Sequence, residues 1–174
     1  MKMPESQLIE GEMILRDMQL SRDVRLTKAS LVRWLALAMG LVSPNESRTT
    51  MLELFDALIR LQFEERTDPD IRQIMDALRD SGNSDATEKA VRYHLLRLKT
   101  IGLVDRRKGR YFFAVSPLSE KYDLPATIDY ALKRRSEMAI SKMKDAAREL
   151  QESFARRRQQ PVEVVQFIKK KPST

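Results

Sequence analysis

The spacing of apolar residues divides this chain into several helical stretches and one short stretch with the alternation of a β-strand. Apolar positions at steps of three and four predict helices over residues 5–20 (a weak pattern), 27–41, 50–65 and 69–79. The second stretch is apolar almost all round, which predicts a buried helix. The last follows Asp68-Pro69, the preferred order of an N-cap and a first helical residue.

A further amphipathic helix is predicted over about 86–101. Asp85 is the expected N-cap, with Glu88 as the third helical residue, and Gly102 suits the left-handed position that ends a helix. The apolar face of this helix consists of Val91, Leu95 and Leu98. The opposite arc holds Lys89, Arg92, Tyr93, Leu96, Arg97 and Thr100.

A short basic hairpin is predicted directly after this helix, over residues 103–116. Lys108-Gly109 is a turn signal between two β-prone runs, and the second run, Tyr111 to Val115, alternates. The basic residues at its tip are Arg106, Arg107, Lys108 and Arg110. A basic-faced helix followed by a basic hairpin is typical of proteins that read nucleic acid.

Residues 45–118 therefore resemble the winged helix-turn-helix transcription regulators, in the broad style of the ArsR and MarR families. The resemblance rests on the polar-faced helix ending in Gly102-Leu103-Val104, the basic run from Arg106 to Arg110, and the Tyr-Phe strand. It implies a mainly α fold with a small β-hairpin wing, N-terminal helices and a long C-terminal helix. The turn at residues 81–85 is longer than usual for the family. The thiol metal sensor of many ArsR members is absent, because the chain has no Cys.

The resemblance also implies how the chain would bind double-stranded DNA. The helix over about 86–101 would enter the major groove, where Arg and Lys side chains reach base edges, and the hairpin would contact the backbone. The expected DNA-binding residues are Lys89, Arg92, Tyr93, Arg97, Arg106, Arg107, Lys108 and Arg110. For Tyr93, contact with DNA and a packing role at the surface remain equally open.

The longest helical pattern runs from Ala126 to Gln160, where Pro161 stops it. A broken heptad stripe predicts a coiled coil and a homodimer, although packing against the N-terminal helices of the same chain is the alternative. The expected dimerisation residues are Ile128, Leu132, Ala139, Met143, Ala146 and Leu150. The predicted organisation is an N-terminal helical extension (1–44), a winged-helix domain (45–118), the dimerisation helix (119–160) and a basic tail (161–174).

Charge is segregated along the chain, whose net charge is +7. Residues 45–85 contain five basic and ten acidic side chains, whereas residues 86–116 contain eight basic and two acidic. Residues 126–174 contain twelve basic and six acidic. A solvated surface would explain scattered cations, but this concentration favours a phosphate backbone as the partner.

Other function classes find little support in the composition. There is no Gly-rich phosphate loop, no metal-ligand spacing and no nucleophile beside a histidine, so neither an enzyme nor a cofactor is expected. His94, the single histidine, is expected to be a partly buried packing residue. The N-terminus lacks the apolar core of a signal peptide, and the apolar run 31–42 is too short to cross a bilayer. A cytoplasmic protein without membrane contact is therefore expected.

The pattern as a whole predicts a DNA-binding transcription regulator. Two alternatives stay open: a winged-helix module that binds protein within a larger assembly, and an RNA-binding protein. Preference for duplex over single-stranded nucleic acid would separate them.

Overall fold

A computed structural model describes residues 4–46, 50–82, 85–117 and 119–159, with the side chains of 157–159 left out. The described chain is mainly helical, with one antiparallel hairpin. Its helices are α1 (Lys28–Ala38), α2 (Thr50–Ile59), α3 (Ile71–Asp80), α4 (Glu88–Thr100) and α5 (Leu124–Gln159). Its strands are β1 (Val104–Arg107) and β2 (Arg110–Phe113). Contacts divide the chain into two compact units after Arg135, and α5 contributes to both.

Helix α2 is the centre of the first unit, where it packs against α1, α3 and α4. It continues through a π-helical turn, Arg60–Glu64, as far as the predicted end of the pattern. The apolar residues that repeat at helical spacing are the ones buried, because this spacing puts them on one face of each helix. The fully buried side chains include Leu54, Phe55, Leu58, Ile74, Leu78, Val91, Leu95 and Leu98.

Helix α3 begins two residues later than the sequence predicts. Asp70 is its N-cap: the Asp70 carboxylate accepts from the Gln73 amide, and the Gln73 side chain accepts from the Asp70 amide. The prediction of Asp68 as the cap is wrong. Asp68 instead accepts hydrogen bonds from Gln62 and Lys121, at 3.1 and 2.7 Å.

The predicted helix over 5–20 is also wrong, since only a 3₁₀ turn, Glu5–Gln7, forms there. The Arg16 amide donates to Ala38 O at 2.9 Å, and its guanidinium donates to Leu37 O and Val42 O. These bonds place a cation at the C-terminal end of α1, where unpaired carbonyls attract positive charge. The long-range bonds therefore prevail over the weak local helical pattern.

Helix α1 is less buried than its composition predicts. Only Val32 and Ala36 within it are fully buried, and its other apolar side chains are partly exposed. Trp34 donates from its indole nitrogen to Gln19 O at 3.1 Å, so the N-terminal segment covers part of this helix.

The hairpin is attached to the helical core along β2. Phe113 is buried against Phe55 and Phe63, with ring centroids 6.2 and 5.2 Å apart. The Phe113 amide donates to Oε1 of the buried Gln62 at 2.7 Å, and the Tyr111 amide donates to Pro69 O at 2.8 Å. Both amides face away from β1, so the core supplies the acceptors that a third strand would otherwise provide.

Helix α5 begins at Leu124, two residues before the predicted start. The Asp123 carboxylate accepts from the Ala126 amide at 3.0 Å, as an N-cap does. Thr127 and Ala131 are buried, so this first part of α5 belongs to the core.

Candidate nucleic-acid interface

Helix α4 is anchored by its apolar face, which leaves its polar arc exposed. Val91, Leu95 and Leu98 are at most 1% exposed, as the sequence predicts. The helix begins later than expected: its N-cap is Thr87, whose hydroxyl accepts from the Ala90 amide at 3.2 Å. The prediction of Asp85 as the cap is therefore wrong, and the helix covers 88–100 rather than about 86–101.

The end of α4 has the predicted glycine in the predicted conformation. Gly102 has a φ of +79°, its amide donates to Lys99 O at 2.9 Å, and the Leu103 amide donates to Leu98 O at 3.1 Å. These two bonds form a Schellman motif, which pairs two of the last helical carbonyls. The motif directs the chain from α4 into β1 through only three residues, 101–103.

The cations on the exposed arc of α4 differ in what they contact. Arg92 pairs with Glu88 one turn earlier, at 2.7 Å from Nε and 2.6 Å from Nη2 to the same carboxylate oxygen. Arg97 donates from Nη2 to Gly40 O, just beyond the end of α1, at 3.0 Å. Lys89 is exposed, and its ammonium has no ion pair with any residue that the structure describes.

Tyr93 lies on the same exposed arc. Its side chain is 65% exposed, and its ring contacts the His94 ring edge-on at 5.3 Å between centroids. Leu96 is also exposed, at 62%. This position is compatible with both roles considered for Tyr93, namely packing at the surface and contact with DNA.

The hairpin turns through two residues in the left-handed conformation. Arg107 pairs with Arg110 across the strands, and Lys108 and Gly109 between them have φ values of +49° and +80°. Positive φ at both central residues is the geometry of a type I′ turn, which suits the twist of a hairpin. The side chain of Lys108 is thus carried at the tip, where it is exposed.

The four predicted basic residues of the hairpin are all exposed, but two of them have defined partners. The Arg106 guanidinium lies over the Tyr111 ring at 5.4 Å, and Arg110 donates to Asp68 O at 2.9 Å. For Arg107 and Lys108, the described part of the chain offers no charged partner within 4 Å. These two side chains are available for an anion from outside.

Three interactions on this surface were not predicted from the sequence. The Glu88–Arg92 pair has a visible signal, because opposite charges four residues apart meet on a helix. Lys99, which pairs with Asp105 of β1 at 3.5 Å, has no such signal. Neither has the Arg97–Gly40 bond, which joins residues 57 positions apart.

His94 is partly buried, in agreement with a packing role. Burial lowers its pKa from 6.5, the nearby Arg97 lowers it further, and Glu46 partly opposes both effects. Its buried Nδ1 has no hydrogen-bond partner in the described part of the chain. The imidazole is therefore expected to be neutral at pH 7.

A shallow cavity of about 480 Å³ lies between α3 and the start of α4. Its charged lining is mixed, since Arg72 and Arg79 alternate with Asp76 and Glu88. Asp76 already pairs with Arg79 at 2.9 Å, so the cavity does not concentrate one sign of charge. Among the described residues, no group of His, Cys, Asp and Glu is arranged to bind a metal ion.

The predicted dimerisation residues fall into two sets. Ile128 and Leu132 are partly buried against the core of their own chain. The remaining four are exposed: Ala139, Met143, Ala146 and Leu150. Ile140 and Phe154 are also exposed, at 45% and 53%, and they extend the same apolar face of α5.

No helix among the described residues combines the length and the apolar character needed to cross a membrane. Comparison of this chain with family models, curated proteins and solved structures finds no match.

Proposed function

We propose that this chain is a DNA-binding transcription regulator of the winged helix-turn-helix kind, acting as a homodimer. In this proposal α4 is the recognition helix, which enters the major groove, and the hairpin is the wing, which contacts the phosphate backbone.

One observation carries the proposal: α4 and the hairpin both bury their apolar side and expose cations on the other side. Lys89, Arg92 and Arg97 are exposed on α4, and Arg107 and Lys108 are exposed on the hairpin. The order of elements from α2 to β2, helix, helix, helix, strand and strand, is also the order of a winged helix. Phosphate contacts from such a surface would supply most of the affinity for DNA.

Each alternative function has an observation against it. Single-stranded RNA is recognised largely by stacking on exposed aromatic side chains, whereas Tyr111 and Phe113 of the hairpin are buried. A protein partner would have to match an unusually concentrated positive charge, since protein interfaces are generally depleted of charge at their centre.

A competition experiment tests the proposal. A labelled duplex of mixed sequence is bound to the protein at low salt, and unlabelled duplex, single-stranded DNA or single-stranded RNA is then added. We expect the duplex to compete best, because only a duplex has the major groove that α4 would occupy. Better competition by a single strand would contradict the proposal. Failure of the labelled duplex itself to bind at low salt would also contradict it and would favour an acidic protein partner.

A further inference from the structure

Glu88 is the only acidic residue of α4, and it lies beside Arg92, at the border of the arc that displays the cations. A carboxylate there repels phosphate, so for DNA binding it is unfavourable unless it makes a specific contact. Its side chain is about half exposed, at 54%, and that of its partner Arg92 is 44% exposed. Both side chains of the pair are therefore accessible to a ligand without any conformational change.

The geometry of the pair leaves the end edge of the Arg92 guanidinium, between Nη1 and Nη2, free to bind a ligand. Oε1 of Glu88 lies 2.7 Å from Nε and 2.6 Å from Nη2, so it occupies the side edge of Arg92. The end edge, formed by Nη1 and the second N–H of Nη2, still offers two parallel donors. Two parallel donors are what bidentate contact with O6 and N7 of guanine requires.

Glu88 has an acceptor left over as well. Both contacts from Arg92 go to Oε1 of Glu88, and no other residue in the part of the chain that the structure describes donates to Oε2. A carboxylate oxygen in the major groove accepts from the N4 amino group of cytosine.

The other two cations of the arc are less suited to reading bases. Arg97 is bound to Gly40 O, so its guanidinium fixes α4 against the end of α1. Lys89 carries a point charge without a planar pair of donors.

We propose, on the basis of the function proposed above, that Glu88 and Arg92 act together as the specificity-determining pair of α4. Arg92 donates to O6 and N7 of a guanine, while Glu88 orients the guanidinium and accepts from the amino group of an adjacent cytosine. The pair therefore selects a step that contains G·C. Arg97 is a positioning residue, not a base-reading one.

The test begins with a preferred duplex selected by the protein from a random pool. Affinity is then measured for that duplex and for duplexes in which each G·C pair is replaced by A·T. The variants are Glu88→Gln and Arg92→Ala, with Asp129→Asn as the control. Asp129 pairs with Lys133 at the same i,i+4 spacing on α5, at 3.2 Å, so the control removes the same charge from a similar pair.

We expect Glu88→Gln and Arg92→Ala to lose discrimination at the same G·C step, by roughly 10-fold each. Asp129→Asn should leave discrimination unchanged, even though any loss of negative charge tightens binding to all duplexes slightly. Replacing the guanine by 7-deazaguanine, which lacks the N7 acceptor, should weaken the wild type and not Arg92→Ala. The wild-type part of this second measurement leaves the protein unaltered and so does not depend on how a variant folds.

Two results would overturn the inference in distinguishable ways. If Glu88→Gln only tightens binding to every duplex alike, as the control does, Glu88 has no reading role while DNA binding itself stands. If the wild type does not bind duplex DNA at all, the proposed function fails and the inference fails with it.

Discussion

Individual cations on the exposed side of α4 and the hairpin are fixed to different degrees. Arg97 and Arg110 donate to backbone carbonyls of other segments, at 3.0 and 2.9 Å, so they join elements of the fold. Arg107 and Lys108 have no such anchor among the described residues. The side chains that hold the structure together and those available to a ligand are therefore partly separate sets.

Replacement of Arg107 by Ala should weaken binding to all duplexes by a similar factor. The reason is that a phosphate contact at the wing carries no sequence information. Loss of one such contact should also reduce the slope of log K against log salt by about 0.9. The measurement is a salt titration of anisotropy, with Arg134→Ala, an exposed cation of α5, as the control. A loss confined to one preferred sequence would show instead that Arg107 reads a base.

His94 should make the folded state less stable in mild acid. Its pKa in the folded protein lies below the ordinary 6.5, mainly because of burial, so the unfolded chain binds the proton more readily. The free energy of unfolding should therefore fall as pH drops below about 6.5, and this contribution is fully present above that value. Denaturant unfolding at pH 7.5 and 5.5 should show a smaller fall for His94→Gln than for the wild type. An equal fall in both would exclude His94 as the source.

At the scale of elements, local patterns predict the buried faces well and the ends of helices poorly. Val91, Leu95 and Leu98 are buried as their spacing predicts, because that spacing alone puts them on one face. Thr87 caps α4 in place of the predicted Asp85, and Asp70 caps α3 in place of the predicted Asp68. In each case two nearby residues can perform the same role. Only the folded chain decides between two such candidates.

Long-range polar contacts are the part of the site that no local pattern contains. Gln62 is buried and joins three segments, since it accepts from the Phe113 amide and donates to Asp68. Asp68 also binds Lys121, which is 53 positions away. Sequence spacing does not report such pairs, so the attachment of the hairpin could not be predicted.

Substitution of Gln62 by Met should destabilise the protein by about 1–3 kcal/mol. Met is similar in length but cannot accept from the buried Phe113 amide, which is then left unpaired. The free energy of unfolding in urea measures the effect. Gln73→Met serves as an exposed glutamine control, and it should cost less, because water can replace its bond to the Asp70 amide. Equal stability of Gln62→Met and the wild type would contradict the described attachment of β2.

For the molecule as a whole, the proposed homodimer would use apolar side chains that are exposed on α5. Met143 and Leu150 are 63% and 56% exposed and lie seven positions apart, so they share one face of the helix. A partner helix would bury that face, whereas Ile128 and Leu132 are already used within their own chain.

Replacing Met143 and Leu150 together by Glu should convert the proposed dimer into a monomer, because a carboxylate is costly to bury in an apolar interface between helices. Sedimentation equilibrium gives the mass directly. Met138→Glu is the matched control, since Met138 is 55% exposed but lies on the opposite side of the helix. A wild type that is monomeric at micromolar concentration would contradict the dimer.

DNA binding by α4 and the hairpin can be measured by fluorescence anisotropy with two duplexes across a salt series. One duplex comes from the DNA immediately upstream of the gene that encodes this chain, and the other has the same composition in scrambled order. We expect tighter binding to the upstream duplex, with log K falling steeply as salt rises, because both base contacts and phosphate contacts contribute. Absence of binding to either duplex at low salt would contradict the claim that α4 and the hairpin bind DNA.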